Sequence, residues 1–353
     1  MWKISNGITL VIDVSTYCNA KCPQCSRTNS KGLAKKDSLP LINWTIEEVK
    51  KYYPKKELID CNVKSITFCP TWGESMVNPD IYAIIQYFLE NLKPHSNVYI
   101  YTNGSMRDEE FWWRLGGLPI SYKSDLNMIF DIDGIDQKMH EKYRRNTKLQ
   151  KVLNNMKAFS ESGGSYTKSQ TILFKHNQDY MDEIKKLVHQ YGSSYHEFVK
   201  SDRFSKGPIF NFINESGDSE QLEWSDKEFK EPFLSHKSNN INEKIECRWA
   251  KTSHLQINYD GQIWPCCYFG GQQHAGNPEK QIFEDSNIIK LYNKNRLDYN
   301  IKYKSLTEII HSDWFKNQLE KSIDNDPNIQ CKRSCSTLIR NFDKQQVRES
   351  HNV

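Results

Sequence analysis

The 353-residue chain has no apolar run long enough to span a bilayer, and Met1-Trp2-Lys3-Ile4 opens no secretory signal. Neither sign of charge is in excess, with 48 Lys and Arg against 44 Asp and Glu for a net of +4. The basic pairs Lys35-Lys36, Lys50-Lys51, Lys55-Lys56 and Arg144-Arg145 are scattered, which argues against a nucleic-acid surface. Internal repeats and long low-complexity segments are missing too. The mean hydropathy of −0.76 and apolar content of 37% still leave core for one large domain and a smaller one. Together these features predict a cytoplasmic protein with no membrane partner. In that reducing compartment its ten cysteines read as metal ligands rather than disulfides.

What is present is concentrated in one short stretch, Cys18-Asn19-Ala20-Lys21-Cys22-Pro23-Gln24-Cys25. It follows an alternating apolar run, Ile8 to Val14, that reads as a strand. Three thiolates in eight residues, on a loop leaving a strand, can hold three irons of a 4Fe–4S cube and leave the fourth open to a ligand. A zinc knuckle is the alternative. It wants a fourth ligand close by, and neither Cys61 nor Cys69 completes a second C-x2-C pair.

Downstream, strand and helix patterns alternate. Thr45 with Glu48 reads as a capping box ahead of Ile46, Val49 and Tyr53. Strands are expected at Ser65 to Cys69, Val98 to Tyr101, Leu126 to Ile132, Gln170 to Phe174 and Glu197 to Lys200. Helices are expected at Pro79 to Leu92, about Lys148 to Ser162, and Tyr180 to Tyr191. Such alternation predicts parallel βα units, with chemistry at the carboxyl ends of the strands. The cysteine loop, Glu74, Asn103, Asp131 and Asp133 all fall there. Ser26 to Pro40 is polar and basic, so it is expected to be exposed or folded over the site.

The C-x3-C-x2-C spacing resembles the signature of radical S-adenosylmethionine (SAM) enzymes, over about residues 6 to 204. The resemblance implies an α/β fold, a partial (β/α)6 TIM barrel. Trp72-Gly73-Glu74 falls where that family has Gly-Gly-Glu, so Glu74 and Gly73 are implied contacts of the SAM amino group, with Trp72 a departure. Asp131-Ile132-Asp133-Gly134 resembles the family's Ser-Ile-Asp-Gly strand end. His140 to Arg144 resembles its His-Asp-x-x-Arg pattern, which implies that Arg144 holds the SAM carboxylate, with Arg145 the fallback. Asn103 is a candidate for the ribose, although Asn-Gly is also a turn signal. Gln24 stands where the family usually carries an aromatic near adenine.

From Ser205 the rhythm stops, and 205–245 reads as a polar insertion or linker that orders in part around Phe210, Phe212, Leu222, Trp224 and Phe233. Then Cys247 precedes two alternating runs, Leu255 to Tyr259 and Gln262 to Trp264, around an Asp260-Gly261 hairpin turn. Cys266-Cys267, a helix through Trp314-Phe315, and Cys331-Lys332-Arg333-Ser334-Cys335 follow. This order resembles the twitch domain, the shorter relative of SPASM, over 246–340. It implies a small α+β domain with a β-hairpin and helix, holding an auxiliary 4Fe–4S cluster on Cys247, Cys266, Cys331 and Cys335. Cys267 remains an alternative to Cys266, and four thiolates also suit structural zinc. The domains are then 1–204, 205–245 and 246–340, with a tail at 341–353.

The resemblance implies two 4Fe–4S clusters, SAM, and an external reductant such as flavodoxin or ferredoxin. It implies reductive cleavage of SAM to a 5′-deoxyadenosyl radical that removes hydrogen from an unactivated carbon. A small molecule of nucleotide or sugar type is the first substrate reading, and a peptide or protein side chain the alternative. The first strand starts within ten residues, which counts against leader-guided peptide chemistry. A non-catalytic iron–sulfur carrier or a zinc-dependent nucleic-acid-binding protein is the reading from another class.

Overall fold

The computed structural model describes residues 7–69, 71–201, 203–204, 207–227, 245–271, 284–335 and 349–352. Six parallel strands form its frame: β1 Ile8–Ile12, β2 Val63–Phe68, β3 Asn97–Thr102, β4 Asp125–Asp131, β5 Tyr166–Leu173 and β6 Tyr195–Lys200. They lie in chain order, as βα units with short crossovers require. Each segment expected to be a strand or helix up to Tyr191 is one, within a few residues. The expected capping box forms: Glu48 N–H donates to Thr45 Oγ1 (3.2 Å) and Thr45 N–H to Glu48 Oε2 (2.9 Å). It starts the helix Ile46–Tyr52.

Alternation along the strands separates two faces. Ile66, Phe68, Val98, Ile100, Leu126, Met128 and Phe130 are fully buried against Ile84, Phe88, Leu115, Val152 and Met156 of the helices. The other face, concave in a barrel, carries Tyr99, Tyr101, Asp131, Lys168, Gln170 and Glu197. Several helices were not expected from the sequence, among them Lys55–Asp60, Asn287–Lys294 and one that enters the core. Glu109–Gly117, capped by Asp108 (2.9 Å to Phe111 N–H), carries the fully buried Trp112 into the core.

One region orders around residues expected to order it, and one departs from expectation. Within the stretch read as a linker, β7 Ile209–Ile213 and β8 Ser219–Glu223 pair as an antiparallel hairpin with Phe212 and Leu222 buried. Phe233 lies outside the described residues. The expected C-terminal hairpin forms as β9 His254–Ile257 and β10 Ile263–Trp264, but it does not stand apart. β9 runs parallel to β1 and extends the barrel sheet, so that the order is β10-β9-β1-β2-β3-β4-β5-β6-β11. The last strand, β11 Glu349–Asn352, pairs antiparallel with β6. The turn needs its glycine: Gly261 has φ +85°, and a Cβ there would lie 2.7 Å from Asn300 Oδ1.

Behind β9 and β10 sits an aromatic nest. Tyr292 stacks on Trp264 (4.3 Å between centroids) and Tyr299 (4.7 Å) and meets Trp314 edge-on (4.8 Å). It is continuous with the core of the barrel. Among the described residues no helix is long and apolar enough to cross a membrane.

Candidate active site at the strand ends

The Cys18–Cys25 loop leaves β1 and is clamped from several sides. Asn103 Nδ2 donates to Asn19 Oδ1 (3.0 Å), Asn19 Nδ2 to Ser105 Oγ (2.7 Å), and Asn146 Nδ2 to the Asn19 carbonyl (2.7 Å). Gln24 joins the loop to the end of β6: Ser201 Oγ donates to its Oε1 (2.9 Å) and Arg203 Nη1 to its carbonyl (3.0 Å). Buried Arg27 donates to the carbonyls of Trp72 (3.2 Å) and Thr16 (3.0 Å). Ala20 and Cys22 share a packed apolar group with Tyr143, Phe174 and Phe204, and Cys18 and Cys25 rest against it. Arg27, Asn19 and the Tyr143–Phe174 wall went unnoticed in the sequence; only their nearness to the fold's site marks them.

The thiols lie close together, with Cys22 buried and Cys18 and Cys25 half-buried. Burial raises Cys18, aided by Glu74, Cys22 and Cys25, and pushes Cys22 up to about 12 against the lowering effect of Arg144. Cys18 and Cys22 are therefore neutral unless a metal takes their protons. Three soft donors at one loop fit a thiophilic metal group.

Glu74 is no solvated loop carboxylate. It is 2% exposed and accepts from Thr102 Oγ1 (2.8 Å), Asn103 N–H (2.8 Å) and Met76 N–H (3.2 Å), while burial lifts it to about 7. Gly73 earns its place against protein: a Cβ would fall 2.2 Å from the Ser15 carbonyl oxygen and 2.7 Å from that of Tyr17. Only glycine lets this segment lie on the base of the cysteine loop. Trp72, the departure from the family's first Gly, packs with Leu39 and Tyr259. Asn103 has its side chain committed to Asn19 and Ser105, which makes it a tie between β3 and the loop.

At the end of β4, Arg144 joins two carboxylates. Its Nε donates to Asp133 Oδ2 (2.6 Å) and its Nη1 forms an ion pair with Asp131 Oδ2 (2.9 Å), leaving Nη2 with no protein partner among the described residues. Burial raises Asp131 to about 6 and raises Asp133, against the pull of Arg144 on both. Gln170 Nε2 holds Asp131 (2.6 Å), and the Ile172 N–H holds Asp133 (2.6 Å). Buried His140, pushed down to about 3 by burial and by Arg144, accepts from the Asp133 N–H (3.2 Å). Its neutral ring then donates through Nε2 to Thr147 Oγ1 (3.0 Å), which donates on to the Arg144 carbonyl (2.5 Å). His140 is a latch, not an acid or base. Arg145, the fallback, turns the other way to Glu215 and Glu220 of the β7–β8 hairpin.

The second cysteine set also converges. Cys247, Cys266, Cys331 and Cys335 line one small cavity of about 20 Å³, walled by Ile245, Trp249, Phe269, Leu319 and Ile323. Cys267 does not line it. Cys267 lies instead on the side of Cys69. Among the described residues no three His, Cys, Asp or Glu side chains crowd around a point that one ion would fill. Zinc draws its sulfurs to about 2.3 Å from a single centre. Four thiols lining one cavity are a donor set that an iron–sulfur cube can use.

The Radical SAM superfamily pattern matches residues 12–188, and an iron–sulfur cluster-binding domain, SPASM, matches 247–336. A comparison with curated proteins finds no match. Among solved structures, anSMEcpe with bound AdoMet and the Kp18Cys peptide is similar over 94% of this chain and 89% of its own, at 15% identity and a TM-score of 0.53. A polyhistidine-tagged anSMEcpe with bound AdoMet is similar over 96% and 95%, at 15% identity and a TM-score of 0.52. Streptococcus suis SuiB bound to precursor peptide SuiA is similar over 80% of this chain, at 15% identity and a TM-score of 0.50. The chain spans 66% of SuiB's length there, less than two thirds. At these identities the likeness is one of fold. The chain belongs to the Radical SAM superfamily and carries a C-terminal iron–sulfur cluster-binding domain, so that its cofactors are S-adenosylmethionine and iron–sulfur clusters.

Proposed function

We propose that this chain cleaves SAM reductively and uses the resulting radical to remove hydrogen from an unactivated carbon of a polar substrate. Cys18, Cys22 and Cys25 hold the SAM-binding cluster, and Cys247, Cys266, Cys331 and Cys335 the auxiliary one. The observation that carries the reading is Arg144. It is pinned by Asp131 and Asp133 with Nη2 unused, so its free edge can meet a carboxylate with no reorganisation. Glu74, with both oxygens anchored and lone-pair capacity left, takes the SAM ammonium. Bound cluster and SAM supply the C5′–S cleavage and the 5′-deoxyadenosyl radical. The protein's share is to orient SAM by Arg144 and Glu74 and to keep water from the loop with Tyr143 and Phe174. Electrons come from an external carrier such as flavodoxin or ferredoxin, and the auxiliary cluster accepts the product-radical electron.

The concave face supports a hydrophilic substrate. Register places Asp131 beside Gln170 and Gln170 beside Glu197, and Lys168 lies over the Tyr99 ring at 5.6 Å. A small nucleotide- or sugar-type molecule is the first reading. A peptide or protein side chain is the second, favoured by the peptides bound to anSMEcpe and SuiB. The test is anaerobic reconstitution, metal analysis, and a 5′-deoxyadenosine assay with dithionite and SAM. About eight irons per chain and 5′-deoxyadenosine support the reading. Zinc in place of iron, or intact clusters without cleavage, would refute it. Stimulation by pooled nucleotides and sugars or by pooled peptides then separates the two substrate readings.

A further inference from the structure

We propose that the β7–β8 hairpin is a strap that seals the Cys18–Cys25 loop from solvent, and that Arg145 is the positioning residue that fastens it. The inference rests on the reading of that loop as a cluster site. A two-strand hairpin has little stability of its own, so what it leans on fixes its place. This one leans on the cysteine loop. Its Phe212 and Leu222, 3% and 2% exposed, belong to the same packed group as Ala20 and Cys22. Its β7 end pairs with the segment just after the cysteines: Ile213 N–H donates to the Ser30 carbonyl (2.8 Å) and Gly32 N–H to the Ile213 carbonyl (2.9 Å).

Arg145 ties the other side. Its guanidinium lies over the Phe212 ring at 5.2 Å and pairs with Glu220 and, at 3.8 Å, with Glu215. Its carbonyl accepts the Lys21 N–H (3.0 Å), and Lys21 Nζ lies 3.6 Å from Glu215. One residue thus grips hairpin and cysteine loop together, while its neighbour Arg144 faces the opposite way into the carboxylate pair. Packing at several points, not charge alone, holds the strap, which keeps it useful where exposed ion pairs would contribute little.

The test uses the anaerobically reconstituted full chain and follows iron release to a strong chelator. Arg145→Ala removes the clasp, and Ile213→Pro removes the N–H given to Ser30. In each, the iron of the first cluster should leave roughly tenfold faster than in the parent, the low end of outer-shell effects on metal sites. The auxiliary iron should leave at the parent rate. Arg145→Lys should restore part of the protection, and the first cluster's midpoint potential should shift in Arg145→Ala as its exposure changes. Unchanged release in both variants would overturn the strap. Equal acceleration of both clusters would overturn it as well, since that is general unfolding. A parent that loads only the auxiliary iron would instead refute the cluster reading of the loop.

Discussion

The two cysteine sets sit in opposite surroundings. The Cys18–Cys25 loop is held by amides and guanidinium groups, from Asn19, Asn103 and Asn146 to Gln24 and Arg27, and it lies next to Glu74, Asp131, Asp133 and Arg144. The Cys247–Cys335 cavity has a wall of Ile, Leu, Phe and Trp and backbone ties such as Glu246 N–H to the Cys335 carbonyl (2.9 Å). Among the described residues, no charged side chain lines the four-cysteine cavity, whereas carboxylates and a guanidinium stand beside the set with three. The set with four is closed by donors and walls alike. On the proposed reading, number of thiols and polarity of the lining point the same way: one site would admit a ligand and the other exclude it.

The sharpest way to break that comparison is to remove one thiol from each side. Cys22→Ala should lose about four of about eight irons and all 5′-deoxyadenosine formation, because no neighbouring side chain replaces the ligand. Cys331→Ala should lose the other half of the iron and keep SAM cleavage. Metal analysis and the cleavage assay on the same preparations check both. Unchanged iron in Cys331→Ala would sink the auxiliary assignment.

Asp13 lies at the seam of the two regions, at the end of β1. It accepts from Thr71 N–H (2.9 Å) and from Gln256 Nε2 (3.1 Å) of β9, with Asp260 and Cys69 the titratable groups nearby. Burial raises it from 3.8 to about 7. The folded chain thus keeps a proton that the unfolded chain has released, and stability falls as pH rises between those values. The loss is complete above pH 7 and amounts to at most about 4 kcal/mol. Urea unfolding of iron-free protein at pH 5 and pH 8 should show Asp13→Asn losing less stability across that interval than the parent. Equal losses would mean that Asp13 is ionised in the fold.

Much of this was legible in the sequence, for reasons that differ by element. Thr45 with Glu48 and Asp260-Gly261 are local devices, so the helix and the hairpin they specify were readable from neighbours alone. Arg144 and Arg145 were not separable that way. They are identical and adjacent, and what splits them is partners at Asp131 and Asp133 on one side and at Glu215 and Glu220, some seventy residues on. Trp72 likewise found its place only through Leu39 and Tyr259. The helix Glu109–Gly117 was hidden by paired tryptophans and terminal glycines, and its Asp108 cap was the signal left unused. That β9 would extend the barrel sheet was beyond reach, because its pairing with β1 spans about 245 residues of sequence.

Arg144→Lys probes the admitting site more finely. Lysine keeps the charge but not the fork, so one carboxylate contact and the free edge are lost together. SAM affinity, read by equilibrium dialysis, should fall roughly tenfold to a hundredfold, about 1.4–2.8 kcal/mol, while iron content stays at the parent value. Unaltered affinity would remove Arg144 from the cofactor site.

The smallest effect compares the two regions with matched devices. Ser305 and Glu308 form the same capping box in the C-terminal region as Thr45 and Glu48 in the barrel, with Glu308 N–H to Ser305 Oγ at 3.2 Å and Ser305 N–H to Glu308 Oε2 at 2.9 Å. Thr45→Ala and Ser305→Ala should each cost about 1 kcal/mol in the iron-loaded protein. In iron-free protein the Thr45 cost should persist, since the barrel core owes nothing to metal. The Ser305 cost should persist too: its helix is fastened to the barrel by Thr307, whose N–H (2.9 Å) and Oγ1 (2.8 Å) donate to Glu57. Disappearance of the Ser305 cost on iron removal would show that the C-terminal region folds only around its cluster, and that the apolar walls of its cavity do not hold without it.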